Sequence, residues 1–288
     1  MNLKQAVRKM LQFVFAQRPI HVTTQIATLA PNELLKDRFA LITGGTSGIG
    51  YAIAEAFLKA GASVCITGRS EQKLSRSCQQ LIALNANYKG RVYSIVLDNQ
   101  NIPSFSSKIN LVSQMRGKID ILVNNAGVLG GHISNSTEEE YDTVLNTNLK
   151  GVFFLSQEVG KHMKEKQIRG NIINIASSSS LRPAASAYTI SKWGIRGLTL
   201  GLAKSMAPLG ITVNGIAPGP TATPMLMKGD RSNIAHCNIP AGRYAMPEEI
   251  ANMTVFLVSN MGRMVVGDIV YMTGGAGILT YDDMEYSF

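Results

Sequence analysis

Residues 39–57 read FALITGGTSGIGYAIAEAF: an apolar strand candidate at Ala40–Thr43, a glycine-rich turn at Thr43–Gly50, then Ala52, Ile53, Ala56 and Phe57 at helical spacing. A strand that runs through glycines straight into a helix is the context a dinucleotide-binding α/β fold requires. Glycine lets the main chain approach a pyrophosphate, whose charge is then favoured by free amide N–H groups and the positive end of the helix. The spacing is Gly44-x3-Gly48-x-Gly50 and not Gly-x-Gly-x-x-Gly. A plain tight turn also fits this stretch, so the rest of the chain must decide.

Moving outward, six further short apolar runs alternate with segments of helical periodicity. They are Ser63–Thr67, Val92–Leu97, Ile119–Val123, Asn171–Ala176, Thr212–Ala217 and Ile269–Met272. Strands separated by crossover helices imply a parallel sheet, and runs that are apolar nearly throughout imply helices on both faces. The expected fold class is therefore α/β, a doubly wound seven-stranded parallel sheet. Ala222–Gly242 shows no clear period and reads as a loop-rich insertion near a ligand.

The chain has 288 residues, 45% hydrophobic and 16% charged, which excludes disorder over most of its length and is compatible with one α/β domain. The net charge of +9 admits nucleic acid, an acidic membrane or an anionic small molecule as partner. Residues 1–38 carry six basic and two acidic side chains, which leaves +5 for the remainder. No recognition motif or aromatic stacking platform accompanies this charge, so nucleic acid is not expected. No run approaches the ~20 apolar residues of a membrane span. Residues 1–37 form an extension in which Leu3, Val7, Met10, Leu11 and Val14 recur at helical spacing among basic residues. Three readings fit it: an accessory helix, a membrane-surface anchor, or an organelle-targeting peptide. Cys65, Cys78 and Cys237 are scattered and lack metal-ligand spacing, so no metal is expected and a reducing compartment, the cytoplasm, fits best.

Tyr188 and Lys192 stand four residues apart in Ala187–Ala203, a segment of helical periodicity, so both project from one helix face. An ammonium beside a phenol favours the phenolate and lowers a pKa that starts near ~10, which suits Tyr188 to acid/base work near neutral pH. Eleven residues earlier the strand candidate Asn171–Ala176 ends at Ser177, whose hydroxyl can bond a substrate carbonyl.

Taken in order, Thr43–Gly50, Asn124-Asn125-Ala126-Gly127, Asn148-Leu149-Lys150-Gly151, Asn174-Ile175-Ala176-Ser177, Tyr188-x3-Lys192 and Val213-Asn214…Pro218-Gly219 resemble the short-chain dehydrogenase/reductase family over residues 38–288. The resemblance implies a single Rossmann-type catalytic domain that passes hydride between a nicotinamide cofactor and a carbonyl or secondary alcohol. Its catalytic set falls on Asn148, Ser177, Tyr188 and Lys192. Tyr188 would exchange the proton, Ser177 polarise the substrate oxygen, Lys192 bind the nicotinamide ribose and depress the tyrosine pKa, and Asn148 hold a water. The Ser177–Tyr188 segment is about two residues shorter than is common in the family, which leaves Ser178 as an alternative serine.

Cofactor contacts implied by the resemblance are Gly44, Thr46, Ser47, Gly48, Ile49 and Gly50 at the turn. Asp98 and Asn99 would meet adenine, and Asn125, Ala126 and Gly127 the adenosine ribose. Pro218, Gly219, Thr221 and Thr223 would lie by the carboxamide. An acid at the end of the second strand selects NAD, whereas an arginine accommodates the 2′-phosphate of NADP. Here the strand ends Thr67-Gly68-Arg69-Ser70 with no acid, which favours NADP(H) and leaves NAD(H) as the alternative. The substrate pocket is expected along Val128–Ile133, Leu181–Ser186 and Met225–Arg243. Its expected occupant is a small-molecule ketone such as a 3-oxoacyl thioester; a sugar, a polyol or another small secondary alcohol is the alternative. An idle, cofactor-binding scaffold is the reading from another class. The family also implies a homodimer or homotetramer.

Overall fold

The computed structural model describes Thr23, residues 32–227 and residues 233–279. Apart from Thr23, the basic amphipathic extension through residue 31 and the tail beyond Leu279 lie outside the described residues.

All seven expected strands are present: β1 Phe39–Ile42, β2 Ser63–Gly68, β3 Val92–Val96, β4 Ile121–Asn124, β5 Asn171–Ile175, β6 Thr212–Pro218 and β7 Ile269–Met272. They form one parallel sheet in the order β3-β2-β1-β4-β5-β6-β7. The principal helices are α1 Gly48–Lys59, α2 Glu71–Ala83, α3 Phe105–Arg116, α4 Glu138–Leu145, α5 Gly151–Glu165, α6 Ala187–Met206 and α7 Pro247–Val258. This is the Rossmann-type doubly wound architecture, and its strand order reverses between β1 and β4.

Side-chain alternation along each strand sends neighbours to opposite faces. Ala40, Ile42, Val64, Ile66 and Val123 pack with Ile53 and Phe57 of α1 and Ile250 and Val255 of α7. Phe39, Leu41, Cys65, Leu122 and Ile172 pack on the other side with Phe105 of α3, Leu155 and Val159 of α5, and Ala203 of α6. Both faces need apolar residues, hence the unbroken hydrophobic runs. The turn before β1 joins the same core: Leu35 is fully buried and its N–H donates to the Ala60 carbonyl at 2.7 Å.

Strand limits differ from the sequence reading by one or two residues. Thr43, Leu97 and Ala176 lie just beyond their strands, and Ile119 precedes β4. Local hydrogen bonding sets several helix starts. Ser70 accepts from Lys73 N–H to cap α2, Thr137 and Glu140 bond reciprocally at α4, and Ser186 accepts from Thr189 N–H to cap α6. Asn148–Lys150 belong to a π-helical turn, Asn146–Lys150, that joins α4 to α5. Among the described residues no helix is long and apolar enough to cross a membrane.

One histidine is built into the lower edge of the sheet. His162 of α5 is buried and its Nε2 accepts from Ile119 N–H at 3.3 Å. Burial and Lys166 push its pKa below the usual 6.5, against smaller opposing effects of Glu165 and Asp120. The unfolded chain therefore binds the proton first as pH falls, so stability is full above 6.5 and declines below it. His162→Ala should lower stability near neutral pH by about 1–3 kcal/mol, because Ile119 N–H loses its acceptor. It should also flatten the loss between pH 6.5 and 5, both measurable by urea denaturation.

Candidate active site

The carboxyl ends of β1 and β4 diverge to open a cleft of about 680 Å³. Its floor is the turn after β1, where Gly44 and Gly48 adopt left-handed φ values of +64° and +56° that other residues rarely reach. Across the crevice the methyl group of Thr223 would lie 3.3 Å from any Cβ placed on Gly48. The two divergent strands are tied by Thr43, whose hydroxyl oxygen accepts from the N–H groups of Asn125 and Ala126 at 2.9 and 3.0 Å. Asn125 Nδ2 donates back to the carbonyls of Thr43 and Gly44. Asn125 thus lines the cleft while its amide hydrogens hold the loop together, a role the sequence reading did not foresee.

Of the residues expected to hold a cofactor, Gly44, Thr46, Ser47, Gly48 and Ile49 line the cleft floor. Arg69, Asp98, Asn99, Asn125, Ala126 and Gly127 line one part of its wall, and Pro218, Gly219, Thr221 and Thr223 another. Gly50 does not line it. A Cβ there would come 2.5 Å from the Gly44 carbonyl, so Gly50 serves the closeness of turn and helix.

At the β2 end the cleft carries Arg69, Ser70 and, one helical turn on, Lys73. Lys73 was not singled out in the sequence. Its place in the first turn of α2, three residues after the capping Ser70, was the available signal. Beyond β3, Asn99 is buried and its Nδ2 has no acceptor in the protein. The glycine cradle, two cations at one end and a buried unpaired donor together fit a nicotinamide dinucleotide. Those cations suit an additional phosphate, and the Asn99 amide suits a purine ring nitrogen.

The other end collects three of the four expected catalytic residues. Ser177, Tyr188 and Lys192 line the cleft together. Ser178 does not line it. Lys192 lies 5.5 Å from the centre of the Tyr188 ring, and its Nζ donates to the Ile175 carbonyl at 2.8 Å. The electrostatics depart from the expectation that the ammonium depresses the phenol. Burial raises the Tyr188 pKa and outweighs the neighbouring Ser177 hydroxyl, which lowers it. Burial also pushes Lys192 down to about 8.

The Asn148 side chain makes contacts that the sequence did not predict. It is buried; Oδ1 accepts from Val128 N–H at 2.8 Å, and Nδ2 donates to the Val128 carbonyl and the Ser191 hydroxyl at 2.9 and 3.2 Å. With every amide group bonded to protein, Asn148 clamps the loop after β4 onto α6. The expected pocket walls are met in part: Val128, Leu129, Met225 and Leu226 line the cleft, whereas Leu181–Ser186 do not. Ser186 instead forms an antiparallel bridge with His132 beside it.

Fold and cleft together define a dinucleotide-binding α/β enzyme. Residues 44–277 match a family model described as enoyl-(acyl carrier protein) reductase. A 3α-hydroxysteroid dehydrogenase of Mediterraneibacter gnavus is 36% identical over 250 residues, covering 84% of this chain and 98% of that protein. A 3-oxoacyl-(acyl-carrier-protein) reductase of Thermotoga maritima is 36% identical over 246 residues with the same coverage. Among solved structures, levodione reductase superposes with a TM-score of 0.78 at 30% identity, covering 84% of this chain and 98% of its own. A Burkholderia cenocepacia short-chain dehydrogenase in complex with NADP gives 0.73 at 30% identity, covering 83% and 98%. The chain belongs to the short-chain dehydrogenase/reductase family and is an oxidoreductase of CH–OH and C=O groups.

Keeping an ammonium with a pKa of about 8 in the fold, against 10.5 in water, costs about 3 kcal/mol. That cost is complete below pH 8, where folded and unfolded chains are both protonated, and shrinks as pH rises toward 10.5. Lys192→Met should therefore raise the melting temperature of the ligand-free protein at pH 7 while abolishing turnover. The stability advantage should fade between pH 8 and 10, a trend thermal denaturation at several pH values will read.

Proposed function

We propose that this protein is an NADP(H)-preferring ketone reductase in which Tyr188 is the proton donor. The observation that carries the reading is the convergence of Ser177, Tyr188 and Lys192 at one end of a cleft whose opposite end bears Arg69 and Lys73. When bound, the nicotinamide supplies or accepts the hydride. Lys192 would hold the neighbouring ribose hydroxyls, and Arg69, Ser70 and Lys73 would hold the 2′-phosphate. The glycine-turn amides would take the pyrophosphate, and Asp98 and Asn99 would take the adenine.

The Ser177 hydroxyl now donates to Ser179 Oγ at 3.1 Å and needs only to rotate to donate to a substrate carbonyl oxygen. Tyr188 delivers its proton to the same oxygen as the carbonyl becomes an alcohol. Asn148, through Val128, sets the wall beside the substrate.

The substrate side of the cleft carries Val128, Leu129, Met225 and Leu226, of which Leu129 and Met225 are more than half exposed. This apolar wall supports a lipophilic ketone, a 3-oxoacyl thioester or a polycyclic ketone, over a sugar or polyol. Residues 38–288 are assigned as the catalytic domain and 1–37 as its extension. Exposed Phe153 and Leu200 on α5 and α6 support a homo-oligomer, and three free thiols support a reducing, cytoplasmic setting.

The test is a panel of 3-oxoacyl thioesters, steroid ketones and keto-sugars with NADPH and NADH. Turnover of the apolar ketones with NADPH preferred is expected, and Tyr188→Phe should lower kcat by about 10²- to 10⁴-fold. Unchanged turnover in Tyr188→Phe would sink the mechanism. Arg69→Ala and Lys73→Ala should each lower kcat/KM for NADPH by about ten- to a hundredfold with little effect on NADH, as loss of a charge-assisted bond to phosphate requires. Equal losses with both cofactors would remove the 2′-phosphate assignment.

A further inference from the structure

Helix α6 meets the chain between Ile175 and Arg182 at four points. Tyr188 lines the cleft beside the Ser177 hydroxyl, which favours its phenolate, and Lys192 donates to the Ile175 carbonyl. The proposed chemistry uses both of those groups. The other two it does not use: Trp193 Nε1 donates to the Arg182 carbonyl at 2.8 Å, and Arg196 Nη1 donates to the Ser180 carbonyl at 3.4 Å.

Trp193 is 42% exposed, so burial of its ring does not account for its placement. The Arg196 guanidinium lies 5.4 Å from the centre of that ring, which joins the two donors into one unit. The segment they grip is a single 3-10 turn, Ser178–Leu181. It is closed internally by Ser180 Oγ donating to the Ser177 carbonyl at 2.8 Å and by Ser179 N–H donating to Ser177 Oγ at 3.1 Å. Any drift of the carbonyls at 180 and 182 is thus passed through two short links to the Ser177 hydroxyl.

We propose that Trp193 and Arg196 are positioning residues of the active site, which strap the Ser177–Arg182 turn to α6 and so fix the Ser177 hydroxyl against Tyr188. One helix then carries the phenol, the ammonium and the two donors that place the serine. Leu181–Ser186 do not line the cleft, but through this strap they still govern its geometry. The catalytic meaning of the strap rests on the reading of Tyr188 as proton donor; the strap itself does not.

The experiment is an alkaline titration of Tyr188, read as tyrosinate absorbance by difference from Tyr188→Phe, on the full chain without substrate or cofactor. Turned away from Ser179 Oγ, the Ser177 hydroxyl can donate to the phenolate and favour it, so losing it raises the midpoint. Ser177→Ala should raise it by about one pH unit. Trp193→Phe, which keeps the ring and loses the N–H, should raise it similarly, and Trp193→Phe with Ser177→Ala should give no further rise. Arg196→Met should act in the same sense and Arg196→Lys should restore the wild-type midpoint. If Trp193→Phe fails to fold by circular dichroism, the half-buried Arg196 pair carries the test. A wild-type midpoint in Trp193→Phe and Arg196→Met, or shifts that add to that of Ser177→Ala, would overturn the proposal. Failure of the mechanism shows elsewhere, as retained turnover in Tyr188→Phe.

Discussion

A lysine ammonium withdrawn from water and set against the last carbonyl of a central strand is an expensive arrangement, and the site depends on it. The Lys192 to Ile175 bond joins α6 to the end of β5 at the point where the sheet stops. The same helix presents Tyr188 one turn earlier, and the same strand end leads directly into Ser177. Without an anchor there, burial would favour moving the ammonium outward, and the phenol and serine would lose their common frame. The fold carries the cost because the rest of α6 is well fixed. Ile195 and Ala203 are buried, and Thr199 accepts from Asn174 Nδ2 of β5 at 2.9 Å.

The second constraint is the splitting of β1 from β4. A Rossmann-type sheet opens there by topology, but an opening needs edges that do not move. Thr43 supplies them with one hydroxyl that serves two backbone amides of the opposite loop, and Asn125 returns two bonds. The cleft therefore has a rigid floor at its phosphate end and a rigid anchor at its chemical end. The apolar substrate side is built from Leu129, Met225 and Leu226, which protrude and are held by little. Rigid ends with a softer side wall are suited to one reaction on substrates of varied shape.

How much of this the sequence disclosed follows from the kind of interaction involved. Strands and helices were readable because burial on two faces imposes continuous apolar runs, and the Tyr188–Lys192 pairing because helical spacing alone brings the two together. The cleft-lining residues near β1, β2, β3 and β6 were placed by resemblance, and most of them line the cleft. What was not readable concerns partners far apart in the chain. Nothing local in Asn148 shows that Val128 takes both ends of its amide, and nothing near Asn125 shows that Thr43 waits across the crevice. The sign of the Tyr188 shift was missed for a related reason: spacing shows the neighbouring charge but not the burial that outweighs it. Lys73 was overlooked because a lysine in an exposed first helical turn looks like a solvated charge until the cleft is seen beside it.

The central claim, that the site is organised around a buried ammonium, is tested most directly by titrating Lys192 itself. With 13Cε-labelled lysine, its resonance assigned from the Lys192→Arg variant, the ligand-free protein should show one lysine titrating near pH 8. A Lys192 resonance that titrates near 10.5 with the surface lysines would contradict the account.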